Sequence, residues 1–584
     1  MQRFSTKTTW VLGLLLSALI GVLYLISPDW AKSGMVPLPG NTPAILGNAQ
    51  YVGHSNPTQD IELVIGLNIR DEAALDTLIA QQNDPNSPNF HKYLSPLDFQ
   101  RRFAPAWADV NKVVAYLRRN GLTVVNISDN RVLITVRGTA TQIEKTFNVS
   151  LNVYSLNAEQ HFSNDRDPSV PRELKPIVGS VFGLSDFAEY HSKLKPSTKP
   201  ASSSPQGFGA NDIAKAYDFP NQNNPNATTK YSGKGVTIGI ATVYSYNRSD
   251  AEAYWHQYGI HRTGATTFVR VHGTSNKLDG ETTLDLEQAG AQAPGADVIM
   301  YLGHDPSMST FALMFNQIVN EDRVDIVSVS WGLCEANTGS SQIHSEHVSF
   351  KQGAAQGMAF FVAAGDDGAY DCPRSSKEAV DYPSSDPYVT AVGGTSLHVH
   401  HDGKYKSESA WSGAGGGTSR ELGRPKWQVP GNGVPDGDKR ETSDISLNAD
   451  PWTGYATYFK NSWDEAGGTS YAAPATAGLW ALVEQAAGGL RIVPNPVLYR
   501  IGNSPEYVLV FHDVTTGDNG NDVGPGFPAG AGWDHPTGWG TPKGDMLIQW
   551  ILKYEKPIQP APSKPAQTPG VPVIPLPFIK NRKK

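Results

Sequence analysis

Cysteine is scarce in this chain, and an excess of basic charge is missing. The 584 residues include two cysteines, so at most one intrachain disulfide can form. The net charge is -8 and the pI is about 6.0, which leaves no basic surface of the kind that nucleic-acid binding requires. We therefore expect no nucleic-acid partner. With 39% hydrophobic and only 18% charged residues, the composition indicates a globular rather than a disordered protein.

One long uncharged apolar run, Trp10 to Ile26, follows two basic residues near the start of the chain. It is long for a signal-peptide core and slightly short for a spanning helix. Residues 1–30 are therefore predicted to be either a signal peptide or a membrane anchor, with possible membrane attachment through residues 10–26. Both alternatives direct the protein out of the cytosol. In that compartment Cys334 and Cys372 could form one disulfide, although two buried free thiols remain the alternative.

The chain is too long for one ordinary core, and its patterns predict two folded domains. From about residue 55 to 190, helical patterns such as DVNKVVAYLRRNGL alternate with strand-like runs such as RVLITVRG. This order predicts a small α+β domain. The following residues, 191–208, contain KLKPSTKPASSSPQG, whose composition indicates an exposed linker open to proteolysis.

Residues 209–555 predict a larger domain of another kind. Short apolar runs such as GVTIGIATV, VDIVSVSWG and MAFFVAAG alternate with helical segments. Such runs are typical of parallel strands buried on both faces, so we predict a doubly wound α/β domain with its active site at the carboxyl ends of the strands. Residues 556–584 are rich in proline and end in basic residues, which predicts a poorly ordered, solvated tail.

Ser470 lies in GGTSYAAP, between small residues and a helical segment. The N–H groups at a helix N terminus can serve a developing anion, so the position suits a nucleophile, but it equally suits an ordinary N-cap. A serine nucleophile needs a base. His272 in VHGT is one candidate, although a turn-like stretch follows it and the preceding strand GVTIGIATV offers no aspartate as a third member.

A pair of carboxylates is the second candidate for the base. Glu281 and Asp285 are four residues apart on a predicted helix, so they share one face. If the pair shares a proton, it could accept the Ser470 proton at acidic pH; otherwise it is a solvated face. Asp366, just after a buried strand, could keep its proton and donate to an oxyanion, or could cap a turn.

Five motifs occur in a fixed order: GETTLDLE, VSVSWG, VAAGDDG, YPSSDPYVTAVGGTS and GGTSYAAP. Together they resemble the sedolisin family of serine-carboxyl peptidases, in particular its kumamolisin-type members. The resemblance implies an acid-active endopeptidase with a subtilisin-like fold, preceded by a smaller, ferredoxin-like α+β propeptide. FHKYLSPLDFQRRFAP resembles the propeptide signature, so residues 55–190 would inhibit the enzyme and be removed near the linker.

The resemblance also implies roles for individual residues. Ser470 would be the nucleophile, Glu281 the general base, Asp285 its partner and Asp366 the oxyanion acid, whereas Asp367 and Glu287 would face solvent. Ser330, Trp331 and Gly332 would form the strand that pairs with substrate backbone. FHDVTTGDNG and GAGWDHPTGWGTP resemble the calcium loop. One Ca²⁺ ion would then be bound by carboxylate or carbonyl oxygens of Asp513, Val514, Gly530, Gly532 and Asp534.

The sequence thus predicts an exported, monomeric serine endopeptidase that is made as an autoprocessed zymogen. Its partners would be protein or peptide substrates and its own propeptide. Two alternatives remain at this point. One is a subtilisin-type hydrolase that uses His272, and the other is a catalytically inactive surface-binding protein held by residues 10–26.

Overall fold

The computed structural model describes residues 34–198, 200–372 and 375–555. The predicted export segment (1–30, with its apolar run 10–26) and the proline-rich tail (556–584) lie outside these described residues. Across the described ranges, no helix has the length and apolar character needed to cross a membrane.

The N-terminal domain is built on a four-stranded antiparallel sheet. Its helices are α1 (Glu72–Gln82), α2 (Pro96–Arg102), α3 (Trp107–Arg119) and α4 (Ala140–Phe147), and its strands are β1 (Met35–Pro37), β2 (Gln50–His54), β3 (Asp60–Leu67), β4 (Thr123–Ile127), β5 (Leu133–Thr139), β6 (Leu151–Leu156), β7 (Glu159–Asn164), β8 (Ser169–Pro171) and β9 (Val178–Phe182). The sheet order is β4-β5-β3-β9. Along the chain the order β3-α3-β4-β5-α4-β9 is the βαββαβ pattern of ferredoxin-like domains, which confirms the predicted α+β class.

Helix α3 shows why this domain folds as the periodicity predicts. Val110, Val113, Val114 and Leu117 recur at helical spacing, and all four are buried against the sheet core. The next helix, α4, begins with a capping box in which Thr139 accepts a hydrogen bond from the backbone N–H at the third helical position. Amphipathic pattern and cap therefore agree with the tertiary packing.

The larger domain follows two short strands, β10 (His191–Ser192) and β11 (Lys195–Pro196). Its helices are α5 (Ala210–Ala216), α6 (Arg248–Gln257), α7 (Gly280–Gln292), α8 (Met308–Glu321), α9 (Glu335–Thr338), α10 (Ser340–Ala355), α11 (Thr469–Ala486), α12 (Pro494–Gly502), α13 (Tyr507–Val510) and α14 (Gly544–Tyr554). Its strands are β12 (Thr237–Val243), β13 (Thr266–Val271), β14 (Asp297–Gly303), β15 (Ile326–Val329), β16 (Trp331–Cys334), β17 (Ala359–Ala363), β18 (Asp381–Tyr382), β19 (Thr390–Val399), β20 (Tyr405–Ala410), β21 (Gly417–Gly423), β22 (Lys439–Thr442), β23 (Ile445–Asn448), β24 (Tyr455–Phe459), β25 (Ser462–Gly467), β26 (Phe511–His512) and β27 (Thr541–Pro542).

An eight-stranded sheet forms the centre of this domain. Strands β13-β14-β12-β15-β17-β19 are parallel in that order, β23 adds in parallel to β19, and β20 pairs with β19 antiparallel. Helices α7 and α11 pack against each other and are buried along almost their whole length, as helices at the centre of a large domain are. The predicted α/β class is confirmed, and the carboxyl ends of β15 and β17 lead into the motifs SWG and AAGDDG.

The composition-based prediction of an exposed linker from Lys193 to Gly207 is wrong at its start. Strand β10 pairs antiparallel with β16, and β11 pairs antiparallel with β25. The Lys193 side chain between them is 7% exposed. Lysine, serine and proline usually indicate solvated chain, but here the backbone completes two sheet edges of the larger domain, a pairing that composition cannot reveal.

The two domains contact each other along helix α10. Lys351 Nζ lies 2.8 Å from Asp76 Oδ1, Asn130 Nδ2 donates to Gln352 Oε1 at 2.7 Å, and Gln82 Nε2 donates to the Ala355 carbonyl at 3.0 Å. The N-terminal domain is therefore docked on the larger domain through specific polar contacts.

Cys334 and Cys372 form a disulfide, and the described residues include no free cysteine. The bond connects the end of β16 with the residue after Asp371. Of the two alternatives left open by the sequence, one bridge rather than two thiols is correct.

Candidate active site

Helix α7 brings two acidic side chains to one buried face. Glu281 is 1% exposed and Asp285 is fully buried. Burial raises the pKa of both carboxyl groups well above their ordinary values, and the charge of Asp285 raises that of Glu281 further. One oxygen of each, Glu281 Oε1 and Asp285 Oδ2, has no hydrogen-bond partner among the described residues. The predicted spacing on one helix face is thus realised, and the pair is buried rather than solvated.

Ser470 lies in the first turn of helix α11, and its Oγ donates to Glu281 Oε2 at 2.8 Å. The turn begins at Gly468, whose φ of +107° is in the region that favours glycine. Asp285 is oriented by a different hydroxyl, because Ser330 Oγ donates to Asp285 Oδ1 at 2.6 Å. Hydroxyl and carboxylate groups from three separate segments therefore meet in one buried cluster.

Asp366 follows strand β17 and faces the same helix turn. Its Oδ1 accepts hydrogen bonds from the Thr469 backbone N–H at 2.8 Å and from Thr469 Oγ1 at 2.7 Å. Its Oδ2 is buried and has no partner among the described residues. Burial raises the pKa of Asp366 to about 7, against the lowering effect of the Thr469 hydrogen bonds and two lysines. The acid consequently keeps its proton in acidic solution.

The strand predicted to pair with substrate backbone pairs with a segment of the same chain. His191 lies opposite Gly332 and Ser192 opposite Trp331 in an antiparallel ladder. The Lys193 N–H donates to the Ser330 carbonyl at 3.0 Å, which extends the ladder by one residue. A peptide backbone therefore occupies this strand edge in the described chain.

His272, the alternative base, does not contact Ser470. Its ring nitrogens lie 2.5 Å from Glu62 Oε1 and 3.2 Å from Thr310 Oγ1. Glu62 belongs to the N-terminal domain, so the imidazole takes part in the contact between domains. The hydroxyl of Ser470 forms its hydrogen bond with the carboxyl group of Glu281 instead.

The predicted calcium loop brings two carboxylates and three backbone positions together. Asp534 Oδ2 accepts from the Gly530 N–H at 2.9 Å, and Asp513 Oδ2 accepts from the Gly532 N–H at 3.2 Å. Burial raises the pKa of Asp534 to about 7, and the charge of Asp513 adds to this effect. The described residues hold no group of three or more His, Cys, Asp or Glu side chains suited to a metal. An ion here would therefore depend on backbone carbonyls, such as that of the buried Val514.

Comparisons with known proteins identify the family of this chain. The pro-kumamolisin activation domain matches residues 47–187, and the subtilase family matches residues 190–508. The chain is 32% identical to sedolisin of Pseudomonas sp. (strain 101) over 512 residues, which are 82% of this chain and 85% of that protein. The chain belongs to the sedolisin family of serine-carboxyl peptidases. It is also 30% identical to kumamolisin of Bacillus sp. (strain MN-32) over 509 residues, 81% of this chain and 88% of that one.

A solved structure of Pseudomonas sedolisin, a serine-carboxyl proteinase complexed with two molecules of pseudo-iodotyrostatin, has the same fold. Its TM-score is 0.54 at 31% identity, and the match covers 60% of this chain and 99% of that chain. Family membership establishes that the chain is a serine-carboxyl peptidase with an N-terminal activation domain and a subtilisin-like catalytic domain.

Two acids of this sedolisin-family chain, Asp367 and Glu287, lie near the proposed catalytic acids at non-catalytic positions and were expected to face solvent. Asp367 does, with a side chain that is 55% exposed. For Glu287 the expectation is wrong. It is fully buried on α7, its Oε1 accepts from the Tyr458 N–H at 3.2 Å, and burial raises its pKa well above the ordinary value. Helix α7 is covered on every side, so no face of it is left for a solvated acid.

The sequence did not indicate three further groups at the site of this sedolisin-family peptidase. Ser192 Oγ also donates to Glu281 Oε2, the Lys193 carbonyl accepts from the Ser470 N–H at 3.3 Å, and Thr469 holds Asp366. Thr469 sits inside the motif GGTSYAAP and could have been found there. Ser192 and Lys193 could not, because their composition is that of a linker.

Proposed function

We propose that the chain is an exported, acid-active endopeptidase made as a zymogen that processes itself. Ser470 is the nucleophile, Glu281 the general base, Asp285 its partner and Asp366 the acid of the oxyanion hole. The observation that carries the proposal is the 2.8 Å hydrogen bond from Ser470 Oγ to Glu281 Oε2, formed in a buried site next to a backbone carbonyl of the same chain.

The two carboxyls on α7 act as one titrating unit. Ionising both would bury two like charges on one face, so over the acidic range the pair retains one proton and one negative charge. Glu281 accepts the Ser470 proton as Oγ attacks the peptide carbonyl carbon, and it then returns this proton to the leaving amine. Glu281 Oε1 and Asp285 Oδ2 have no hydrogen-bond partner among the described residues. This supports the proposed role, since a proton shared by the two carboxyl groups would give both oxygens a hydrogen bond.

Asp366 stabilises the charge that develops on the carbonyl oxygen. Because Oδ1 already accepts two hydrogen bonds, the proton of the neutral acid resides on Oδ2, which has no partner among the described residues. A Cβ added at Gly468 would collide both with this oxygen and with the Lys193 carbonyl oxygen, so the two groups border the same small space. A neutral acid placed there donates a hydrogen bond to an oxyanion, together with the Ser470 N–H.

The residues of the proposed calcium loop fit a hard cation that takes oxygen ligands. Asp513 and Asp534 would bind Ca²⁺ through carboxylates, and Val514, Gly530 and Gly532 through backbone carbonyls. Asp513 adds its charge to that of the buried Asp534, and a divalent ion would relieve the repulsion between these two carboxylates. Ca²⁺ would supply structural cohesion, and no step of peptide hydrolysis depends on it.

The decisive experiment compares the full-length wild type with Glu281→Gln and His272→Ala on an unrelated protein substrate across pH. We expect activity to peak in acid and the Gln variant to lose about 10²- to 10⁴-fold, because a glutamine cannot accept the proton. His272→Ala should keep its activity. A neutral optimum that survives Glu281→Gln and disappears in His272→Ala would reject the proposal in favour of the subtilisin-type alternative.

A further inference from the structure

The segment that connects the two domains crosses the active site as a peptide substrate would. Before Ser470, β10 is paired with β16; beyond it, β11 is paired with β25, with Lys195 opposite Gly467 and Pro196 opposite Ala466. The two residues left between the short strands are Lys193 and Leu194. The peptide bond that joins them therefore lies where the chain passes the nucleophile.

Backbone contacts fix the position of this bond. The carbonyl oxygen of Lys193 accepts from the Ser470 N–H at 3.3 Å and borders the same space as Asp366 Oδ2. The backbone N–H of the same residue, Lys193, donates to the carbonyl oxygen of Ser330. These are the contacts that an acyl-side residue needs for its carbonyl to be polarised and attacked.

The side chain of Lys193 enters a buried acidic pocket. Its ammonium group contacts Asp381 Oδ2 and lies 3.9 Å from Asp371 Oδ1, and the two carboxylates are 0% and 1% exposed. No other basic side chain in the described ranges forms an ion pair with either acid. Although burial lowers the pKa of Lys193, the charges of Asp371 and Asp381 raise it above its ordinary value, so the lysine is charged in the pocket.

Two glycines in the wall of this pocket leave room for the two acids, because a side chain at either position would collide with them. A Cβ at Gly365 would lie 2.9 Å from Asp371 Oδ1 and 3.3 Å from Asp381 Cβ, and a Cβ at Gly332 would lie 2.9 Å from Asp381 Cγ. The residue after Asp371 is bonded to the end of β16 through the disulfide. The acidic pocket is thus attached to the same strand that pairs with the bound backbone.

We infer that the chain cleaves itself between Lys193 and Leu194, and that the Asp371 and Asp381 pocket makes the mature enzyme select a basic residue before the scissile bond. This inference rests on the proposed function. Once Lys193 leaves, two buried acids face each other without a cation, and a substrate lysine restores the pairing. Burial raises the pKa of both acids, so without a cation one of them takes up a proton. A neutral side chain would leave the negative charge of the other buried and unpaired, which is costly.

The cleavage follows from the same residues. Ser470 Oγ bonds to the carbonyl carbon of Lys193 while its proton passes to Glu281, and the bond from that carbon to the Leu194 nitrogen breaks as Glu281 protonates the amine. Water then hydrolyses the ester, which frees Ser470 and leaves Lys193 with a new carboxylate. Leu194 becomes the N terminus of the mature enzyme.

The first test is self-processing of the full-length chain in acid, followed at early times by intact mass and N-terminal sequencing. We expect a new N terminus at Leu194 and a released fragment that ends at Lys193. Lys193→Met, which keeps the length but removes the charge, should slow cleavage at this bond by about 30-fold or more. Lys195→Met is the matched control, because the wild-type Lys195 side chain pairs with the exposed Asp367 outside the pocket. In this variant, cleavage should still occur after Lys193.

The second test uses peptides that differ only in the residue before the scissile bond. The mature wild type should cleave the Lys peptide with a kcat/KM about 30-fold or more above that of the Met peptide. Asp371→Asn with Asp381→Asn should remove this preference while the Met peptide is still cleaved, which shows that the variant is folded. Equal rates on both peptides would overturn this inference but not the proposed function. A mature N terminus at another residue, in an enzyme that is active in acid, would do the same. No proteolysis of any peptide in acid would instead reject the proposed function.

Discussion

In the mechanism proposed above, a single proton on Asp366 decides whether the carbonyl oxygen of a substrate meets a hydrogen-bond donor or a negative charge. Asp366 Oδ1 is held by Thr469, and Oδ2 is free to donate only while the acid is protonated. With a pKa of about 7, the required form is present below this value and is lost as the pH rises through it. If Asp366 acts as proposed, its pKa sets the upper limit of the pH range in which the enzyme is active.

The first prediction concerns this limit. In Asp366→Asn the amide donates at any pH, so we expect the variant to remain active and to lose the decline of kcat near pH 7. Asp366→Ala has no donor and should lose about 10²- to 10³-fold in kcat. The measurement is kcat against pH for the wild type and both variants, with thermal unfolding as a control for folding. An Ala variant as active as the wild type would show that Asp366 does not stabilise the oxyanion.

The second prediction separates Asp285 from Glu287, which is the third buried acid on α7. Asp285→Asn cannot share a proton as a carboxyl does, so the base strength of Glu281 changes; we expect kcat to fall about 10-fold or more and the acid limb of its pH profile to move. Glu287→Gln is the matched control, because Glu287 is equally buried on α7 but contacts Tyr458 rather than the nucleophile. Similar losses in the two variants would mean that both acids serve packing alone.

At the scale of elements, the loop around Asp513 and Asp534 connects α13 to α14 and carries the proposed calcium site. We predict that a chelator lowers the unfolding temperature of the Ser470→Ala chain, which cannot digest itself, and that added Ca²⁺ restores it. At a Ca²⁺ concentration about 100 times Kd the ion would contribute about 2.7 kcal/mol.

Asp534→Asn serves as the check on this assignment, because it removes one carboxylate charge and keeps the size of the side chain, although one of the oxygens that accept hydrogen bonds from Gly530 and Thr537 is replaced by a donor. Its unfolding temperature should respond little to either Ca²⁺ or chelator, as followed by circular dichroism. If Ca²⁺ and chelator leave the unfolding temperature of the Ser470→Ala chain unchanged, this loop does not bind a metal.

At the scale of the whole molecule, one of the ion pairs that hold the N-terminal domain is weakened by acid. Glu72 contacts Lys351 on α10. Burial raises the pKa of Glu72, but the hydrogen bond and charge of Lys351, with smaller effects of His344 and His347, bring the net pKa below its ordinary value. A lowered pKa in the docked state means that Glu72 stabilises docking above its free pKa, and that this contribution is lost as the pH falls through the docked value.

The resulting prediction is that Glu72→Gln allows activation at a higher pH than the wild type. The variant lacks this stabilisation at every pH, so less acid is needed to release the domain. The measurement is the pH at which half of the cleaved chain has released its N-terminal domain, followed by size-exclusion chromatography. Glu173→Gln, which alters an exposed acid of the same domain, should activate as the wild type does. An unchanged midpoint for Glu72→Gln would show that this ion pair does not restrain activation.

Local patterns were sufficient for much of this molecule. Helical spacing in α3 and α7, and apolar runs at β12, β15 and β17, predicted both domain classes and the shared helix face of Glu281 and Asp285. Motif order predicted which acids gather around Ser470. The same reasoning failed at Glu287, because a helix buried on every side gives no periodic signal to distinguish inside from outside.

The sequence by itself determined the family, the two kinds of domain and the identity of the acids near Ser470, because these depend on short-range spacing and on residue type. Only the tertiary structure decided the rest. It paired Cys334 with Cys372, directed His272 to Glu62, and laid Lys193 across the active site with its ammonium group against Asp381. These contacts join residues that lie 38 to 210 positions apart, and no local pattern encodes which distant surfaces meet when two sheets and two domains close on each other.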